Sequence, residues 1–287
     1  MDIQNLQAFI SVYEQQSFSK AAEQLNLTQP AISKRIAALE SSYSTTLFNR
    51  IGKSIVLTEA GELLLPSARL VTEEIKRSHQ SIQGLSGQLG GELKLATSHH
   101  IGLHRLPPVL RAFSTEHKNV ELDLHFMDSE QACEMIEKGE LELAIVTLPR
   151  QPGKNLITKK IWHDPLVVVT SKTHALAEKD TINTRDLISH PAILPSHETF
   201  TRSMIEQQLK LTQLPPIALE TNYLETIKMM VSIGLGWGVL PQSMIHGELT
   251  EFDIDGVSMS RELGAVYHRN RTLSSASMAM LEVIESM

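Results

Sequence analysis

The chain has 287 residues, of which 41% are hydrophobic, so it is long enough to form two or three cores and is not a disordered tail. No apolar run approaches the roughly 18 residues needed to cross a bilayer, and the start "MDIQNLQAFI" lacks the features of an export signal, so a cytoplasmic protein is expected. A single cysteine, Cys133, excludes an intrachain disulfide.

The net charge of −7 is unevenly distributed along the chain. Residues 1–58 carry five Lys/Arg and four Asp/Glu, giving +1, whereas residues 59–90 carry −1 and residues 91–287 carry −7. The first segment is the least acidic, and basic residues gathered on one face would suffice for contacts with nucleic-acid phosphates.

A pair of short helices is predicted over residues 21–40, "AAEQLNLTQPAISKRIAALE". The small alanines of the first helix would let a neighbouring helix approach closely. Asn26-Leu27 makes the break, Thr28 suits an N-cap, and Pro30 falls in the first turn, where its missing N–H costs nothing. An upstream helix that supports the pair is predicted from the spacing of Leu6, Phe9, Ile10 and Tyr13.

The second helix of the pair has two contrasting faces. A buried stripe is predicted for Ile32, Ile36, Leu39 and Tyr43, which recur at spacings of four, three and four. The opposite face is small, polar and basic, and it comprises Gln29, Pro30, Ala31, Ser33, Lys34, Arg35 and Ala37. Such a face can lie in a major groove, with Gln29 and Ser33 at base edges and the basic residues at phosphate or guanine.

A two-stranded wing is predicted in the stretch "TTLFNRIGKSIVLTEAG". Its basic tip, with Arg50, Gly52 and Lys53, can reach a backbone phosphate or the minor groove. Without the wing, the helices could equally form an alanine-rich hairpin in a core. Together they indicate a winged helix-turn-helix domain over residues 1–58.

A heptad seam follows over residues 59–90. Its members alternate at spacings of four and three, with a polar interruption at Ser78, and they are Leu64, Ala68, Val71, Ile75, Ser78, Ile82, Leu85 and Leu89. The pattern predicts a linker helix that pairs with a second copy of itself through Leu64, Val71, Ile75, Ile82 and Leu85. The alternative is a helix packed on its own domain. Several glycines between residues 84 and 91 predict the helix end and a domain boundary.

Alternating strands and helices occupy residues 91–287 and predict a mostly parallel α/β sheet. They fit two lobes, the first at about 91–161 and 266–287 and the second at about 162–265. Small ligands usually bind in the cleft that such lobes leave at the carboxyl ends of their strands.

Candidate ligand-binding residues follow strands or begin helices in both lobes, and they are Ser98, His99, His100, Thr147, Thr199 and Phe200. Hydroxyls and free N–H groups at such positions suit a small anion, although Ser98 and Thr199 could also be simple N-caps. His99 and His100 are adjacent and would point apart, and neither His104 nor His197 completes a zinc-like spacing, so no metal site is predicted. Cys133 is expected to be a small core residue.

The segments "FSKAAEQLNLTQPAISKRIAALE", "LFNR" and "LTEAG" occur in that order within the first 61 residues. This arrangement resembles the amino-terminal signature of the LysR-type transcriptional regulators, whose length the chain also matches. One departure is Tyr43-Ser44, where the family usually has Leu-Gly. Glycine at the second position would ease a left-handed turn.

The resemblance implies an α/β protein with a winged helix-turn-helix, a long linker helix and a two-lobed effector domain that looks like the periplasmic binding proteins. It implies a cytoplasmic transcriptional regulator, not an enzyme, with no cofactor and no membrane contact. Its partners would be an inverted-repeat operator in double-stranded DNA, a small-molecule effector, further copies of the chain in a homodimer or homotetramer, and RNA polymerase if it is an activator. By position, Ser98, Thr147 and Thr199 resemble residues that contact effector in family members.

Two other classes of protein remain open on the residues alone. Residues 92–287 would suit a small-molecule enzyme or solute-binding protein that the first helices merely dimerise. The whole chain would also suit an architectural DNA-binding protein without a ligand.

Overall fold

The structure is a computed structural model that describes residues 2–51, 54–84, 89–179, 181–210 and 213–287. It divides into two units, the first comprising Met1–Leu89 with Lys138–Glu140 and the second comprising Gly90–Glu137 with Leu141–Met287. Within the described residues, no helix combines the length and the apolar character needed to span a membrane.

The first unit contains short helices, an antiparallel strand pair and one long helix. Its elements are α1 (Ile3–Gln15), α2 (Phe18–Gln24), α3 (Gln29–Tyr43), β1 (Phe48–Ile51), β2 (Ser54–Leu57) and α4 (Glu59–Gly84). The side chains of Asp2, Ser17 and Thr28 accept hydrogen bonds from first-turn N–H groups, so each of the first three helices begins at a polar N-cap. The predicted helix-turn-helix and wing are both present.

The apolar stripe of α3 packs into a core shared with α1 and α2. Ile32, Ile36 and Leu39 are almost fully buried there, together with Phe9. The prediction that Tyr43 continues this stripe is wrong, because its side chain is 44% exposed. Tyr43 is the last residue of α3, where the helix is about to leave the core.

The turn after α3 has the left-handed backbone geometry that favours glycine, but the residue at this position is Ser44. Ser44 adopts φ 52° and ψ 33°, and its N–H donates to the carbonyls of Glu40 and Ser41. An L-residue with a side chain pays about 1–2 kcal/mol for this conformation, whereas glycine adopts it readily. Serine is therefore accommodated by the turn at a local cost in stability.

Replacing Ser44 by glycine is expected to stabilise the first unit by about 0.5–1 kcal/mol, because it removes this strain. Hydrogen exchange of α3 peptides in the full chain, followed by mass spectrometry, would show slower exchange. The matched control is Ser41→Gly, at an exposed helical position, which should lower stability by about 0.5 kcal/mol. Equal effects of the two substitutions would contradict the strain argument.

The long helix α4 begins against the core of the first unit and then leaves it. Leu65 and Ala68 are buried in that core and Leu64 packs at its edge, so Leu64 is engaged within its own unit. Farther along, Val71 and Ile75 are each 40% exposed. The side chain of Ile82 and all of Leu85 lie outside the described residues.

The second unit alternates strands and helices. Its elements are β3 (Gly90–Thr97), α5 (His99–His104), α6 (Leu106–Glu116), β4 (Asn119–Phe126), α7 (Ser129–Glu137), β5 (Leu143–Thr147), β6 (Leu156–Ser171), α8 (Thr184–Ile188), β7 (Ala192–Leu194), α9 (Phe200–Leu209), β8 (Ile217–Glu220), α10 (Leu224–Ser232), β9 (Trp237–Pro241), β10 (Leu249–Phe252), β11 (Met259–His268) and α11 (Ser275–Ser286), with short 3-10 helices at Ala175–Glu178 and Gln242–Met244.

One continuous sheet carries both lobes, in the strand order β4-β3-β5-β11-β6-β9-β7-β8, with β10 paired to β6. The trio β4-β3-β5 is parallel, and so is the trio β9-β7-β8. The strands β6 and β11 lie between the trios and pair antiparallel with each other along their length. We call the parts built on the two trios the first lobe and the second lobe, and β6 and β11 run through both.

Each lobe has its own apolar core. In the first lobe, α11 packs through Ala276, Met280 and Ile284 on a cluster that includes Leu95 of β3 and Phe113 of α6. In the second lobe, a separate cluster surrounds the buried indole of Trp237, whose N–H donates to the Leu187 carbonyl at 2.9 Å. A cleft lies between the two cores, and β6 and β11 are the only described strands that cross it.

Candidate functional site

The first candidate surface is the exposed side of α3. Gln29, Pro30 and Lys34 are exposed, and Ala31, Ser33 and Arg35 are half-buried at the margins of the same side. We call these six residues the exposed α3 face. None of them lies in the core, so the face is open to a large partner.

The side chains of the exposed α3 face differ in whether they already make hydrogen bonds within the chain. Gln29 Nε2 donates to Ser33 Oγ at 2.9 Å, so the two polar groups already lie side by side. Arg35 Nη2 donates to Gln4 Oε1 of α1 at 2.6 Å, a contact that the sequence did not predict. Within the described part of the chain, no hydrogen bond or ion pair engages the Lys34 ammonium. The side chain of Arg50 and all of Lys53 lie outside the described residues.

The second candidate site is a pocket in the cleft between the lobes. Five of the predicted ligand-binding residues line it, namely Ser98, His99, His100, Thr147 and Thr199. The sequence missed the other lining residues, which are Asp128, Ser129, Glu130, Pro195, Thr201, Asn222, Leu224 and Arg261. Phe200 is not a lining residue: its ring packs beside the first-lobe core and its backbone N–H donates to the Glu130 carboxylate.

The three predicted hydroxyl residues differ in how free their side chains are. Thr199 is a working N-cap of α9, because its Oγ1 accepts from the Arg202 N–H at 3.1 Å and donates to the Ser196 carbonyl at 2.9 Å. Ser98 stands at the N-cap position of α5, but its side chain makes no capping hydrogen bond. Thr147 is buried at the end of β5. Ser98, which is half-buried, is thus a hydroxyl with capacity left for a ligand, whereas that of Thr199 is occupied by capping.

An ion-pair cluster adjoins the pocket through Arg261, which lines it together with Thr201. Arg261 Nε donates to Asp164 Oδ2 at 2.8 Å, and Arg261 Nη1 donates to Thr201 Oγ1 at 3.4 Å. Arg105 donates to the other oxygen of Asp164 at 3.4 Å, so one carboxylate serves two guanidinium groups. Arg261 Nη2 is buried and has no hydrogen-bond partner among the described residues. A charged donor in this state favours an anion.

The histidines of the pocket lie in distinct environments. His99 packs edge-on against Tyr223. His100 is 5% exposed, and neither of its ring nitrogens has a hydrogen-bond partner among the described residues. Burial, with Arg261 nearby, lowers the pKa of His100 to about 4, so its imidazole is neutral at neutral pH. His197 lies outside the pocket lining, where it pairs with Glu206 and Glu220.

Two hydrogen bonds join the lobes across the pocket. Asn222 Nδ2 of the second lobe donates to Asp128 Oδ2 of the first at 2.8 Å. Glu130 of the first lobe accepts from the Phe200 N–H at the start of α9. Burial raises the pKa of Glu130, although this N–H works in the opposite direction. Both pocket carboxylates are therefore already engaged by donors of the second lobe.

Cys133 is buried in the first lobe, as predicted. Burial raises the pKa of its thiol to about 12, and the neighbouring Glu130 and Glu137 act in the same direction. Since the thiolate is the reactive form, Cys133 is a core residue and not a poised nucleophile.

Comparison with known proteins gives the class to which this fold and these surfaces belong. Residues 3–62 match the bacterial regulatory helix-turn-helix proteins of the lysR family, and residues 86–287 match the LysR substrate binding domain. The chain belongs to the LysR family of DNA-binding transcriptional regulators. The predicted family, fold class and non-enzymatic role are confirmed, since its relatives are named as regulators.

Individual relatives span nearly the whole chain. The RuBisCO operon transcriptional regulator of Acidithiobacillus ferrooxidans is 31% identical over 291 residues, covering 98% of this chain and 93% of that protein. A full-length OxyR variant from Pseudomonas aeruginosa has the same fold, with a TM-score of 0.77 at 22% identity over 99% of this chain and 94% of the other. The effector binding domain of QuiR in complex with shikimate matches 69% of this chain and 96% of that domain, with a TM-score of 0.61 at 20% identity.

Proposed function

We propose that this regulator binds an inverted-repeat operator through the exposed α3 face and that a small anionic effector, held between the lobes, modulates this binding. The observation that carries the effector proposal is the buried Arg261 Nη2, which has no hydrogen-bond partner among the described residues. A ligand carboxylate would satisfy it with a charge-assisted hydrogen bond. The free hydroxyl of Ser98 would supply a second donor from the first lobe.

The acidic residues of the pocket limit where an anion can lie, because hydrogen bonds from neutral donors leave the charges of Asp128 and Glu130 in place. Asp128 and Glu130 each accept a hydrogen bond from the second lobe, and Asp164 is shared by two arginines. Next to Arg261 the two guanidinium groups outnumber the one carboxylate of Asp164, so the anion is expected at that end of the pocket. The shikimate complex of the related QuiR domain supports a small carboxylate as the class of ligand. Around this anion, Thr147, Thr199, His99 and His100 would form the walls of the site, with Phe200 behind Thr199.

The effector would act by favouring one arrangement of the lobes over another. The effector would contact Ser98 of the first lobe and Arg261 of β11, the strand that runs through both lobes. Beside this site, Asn222 and Phe200 of the second lobe donate hydrogen bonds to the first lobe. A ligand shifts such an equilibrium only by its difference in affinity for the two arrangements. The changed arrangement would then alter how copies of the chain pack and how their α3 helices meet DNA.

Operator binding would require paired chains. Val71 and Ile75 lie on one side of α4 and are partly exposed in the single chain, as expected for a seam that a second copy covers. Two α3 faces presented by such a dimer would match two half-sites of an inverted repeat. A homotetramer, a cytoplasmic location and contact with RNA polymerase in the case of an activator are further parts of the proposal, carried over from the family resemblance.

Small carboxylates are expected to raise the melting temperature of the full chain and to change its operator affinity, whereas their neutral amides are not. Ser98→Ala should weaken carboxylate binding about 10- to 100-fold, because a hydrogen bond to a charged group is lost. It should leave operator binding without ligand unchanged. Differential scanning fluorimetry and calorimetric titration measure both effects.

Ser203→Ala is the matched control, since Ser203 is an exposed serine of α9 that does not line the pocket. It should bind carboxylates as the wild type does. If amides act as well as carboxylates, the effector is not selected as an anion. If Ser98→Ala and Ser203→Ala behave alike, Ser98 does not contact the ligand.

A further inference from the structure

A cluster of potential metal ligands lies next to the pocket. His100 and His104 are four residues apart on α5, and Glu225 stands in the first turn of α10. His104 Nε2 lies 2.8 Å from Glu225 Oε1, and His100 Nδ1 lies 3.9 Å from the same oxygen. One ligand atom from each of the three residues falls within 4.8 Å of the others. The expectation that His104 completes no metal-binding spacing did not take into account that it lies one helical turn from His100 on α5.

We propose that His100, His104 and Glu225 bind a divalent transition-metal ion of the zinc class. Two imidazole nitrogens and one carboxylate oxygen are a donor set that such ions accept, and a fourth position stays open to water or to another ligand. The i, i+4 spacing on α5 places both imidazoles on one side of the helix. The assignment does not rest on the anionic effector: the two sites share His100, which also lines the effector pocket, but neither Arg261 nor Ser98 belongs to the donor set.

Two of the three distances require small adjustments, whereas the third, between the two imidazole nitrogens, is at most 4.8 Å and must narrow by up to about 1.5 Å. Ligand atoms around a tetrahedral zinc ion are separated by about 3.3 Å, given metal–ligand bonds of about 2.0–2.2 Å. The 2.8 Å separation must widen and the 3.9 Å separation must narrow, each by roughly half an ångström or slightly more. His104 and Glu225 are 47% and 37% exposed, so their side chains have room to rotate. His100 is fixed by burial and has both ring nitrogens available.

Three cationic side chains lie near the proposed metal site. Arg105 and Lys228 line the adjoining surface, and Arg261 lies near His100. Both arginines are paired with Asp164, and the Lys228 ammonium contacts His246. Glu225 supplies the negative charge of the donor set, and His104 contacts it already. The three positive charges face the two negative charges of Asp164 and Glu225, so the coordinate bonds of the three ligands would have to outweigh one excess positive charge.

Metal binding would link the two lobes directly. His100 and His104 belong to the first lobe, whereas Glu225 belongs to the second. An ion held by all three would favour the arrangement in which α5 and α10 are close. It would therefore stabilise the second unit against unfolding by an amount that rises with the logarithm of the free ion concentration once this exceeds the dissociation constant.

The test is titration of the full chain with Zn²⁺ in competition with a chromogenic chelator, together with the visible absorption of bound Co²⁺. The expected result is one ion per chain and a Co²⁺ spectrum of low coordination number. His104→Ala and Glu225→Gln should each weaken binding at least about 10-fold, since groups that merely orient ligands already have effects of this size. Both positions are partly exposed, so these variants should fold.

His125→Ala is the matched control. His125 is a similarly exposed histidine, 2.9 Å from the carboxylate of Asp123, with no third ligand among the described residues. It should retain full affinity, and Ser98→Ala should also bind the ion as the wild type does. Equal affinity in wild type, His104→Ala and Glu225→Gln would overturn the proposal. Equal losses in His104→Ala and His125→Ala would reduce it to general binding by surface histidines.

Discussion

Replacing Ile75 by aspartate is expected to convert the protein to monomers and to lower operator affinity on the order of 100-fold or more, because two linked half-site contacts become independent. Ile75 is 40% exposed in the single chain and lies one turn beyond Val71 on α4. A seam that covers both would enclose the new carboxylate without a partner, which strongly disfavours association. The chain itself should fold, since Leu65 and Ala68 anchor α4 to the first unit and Ile75 does not.

Sedimentation velocity of the full chain measures the association directly, and fluorescence anisotropy with a recovered operator fragment measures affinity. Ile75→Leu is the control, since it keeps an apolar side chain of the same size at the same position. Ser78→Leu extends the test in the other direction, because it replaces the polar interruption of the seam and should strengthen pairing. Unchanged oligomers of Ile75→Asp would show that the chains associate through another surface.

The fold was predictable where local patterns dominate. The N-cap at Thr28 and the 3.6-residue stripe of α3 depend on neighbours in sequence, and the family signature indicated the class. Local pattern does not predict the first half of β6, because the polar stretch before Pro165 is extended only through its pairing with β11, about a hundred residues later. Local pattern does not predict the short strand β10 either, since its four residues pair only with β6.

The candidate site was predictable in position but not in detail. Strand ends and helix starts correctly brought Ser98, Thr147 and Thr199 to one pocket. The sequence did not show whether Ser98 or Thr199 has the free hydroxyl. Both stand at N-cap positions, and only the local geometry decides which of them makes the capping hydrogen bond. Arg261 was missed because a lone arginine in a strand is usually a surface residue. Only the buried Asp164 on the neighbouring strand β6 makes it part of the site.

For the exposed α3 face too, the sequence predicted the position of the residues but not their contacts. Its membership followed from helical periodicity, but the bond from Arg35 to Gln4 shows that one of its two cations also supports α1. Removing Arg35 would therefore mix a loss of packing with a loss of charge. Lys34 is exposed and makes no such contact within the described residues, so the effect of replacing it would reflect DNA binding alone.

Lys34→Ala is expected to weaken operator binding about 10-fold or more and to reduce the slope of log K against log salt by about 1.8, because each chain of a dimer loses one phosphate contact worth about 0.9. Anisotropy titrations at several salt concentrations give both quantities. If Lys34 contacts guanine instead, affinity would fall with little change in slope and discrimination at one base pair would relax.

Lys118→Ala is the matched control, since Lys118 is an exposed lysine of the second unit and the substitution changes the net charge by the same amount. It should leave affinity and slope unchanged. If both variants lose the same affinity and slope, total charge rather than the α3 face governs binding. If neither variant loses affinity, Lys34 faces away from the duplex, and Gln29 and Ser33 must set the register of α3 in the groove. A base edge would then have to replace the hydrogen bond between these two side chains.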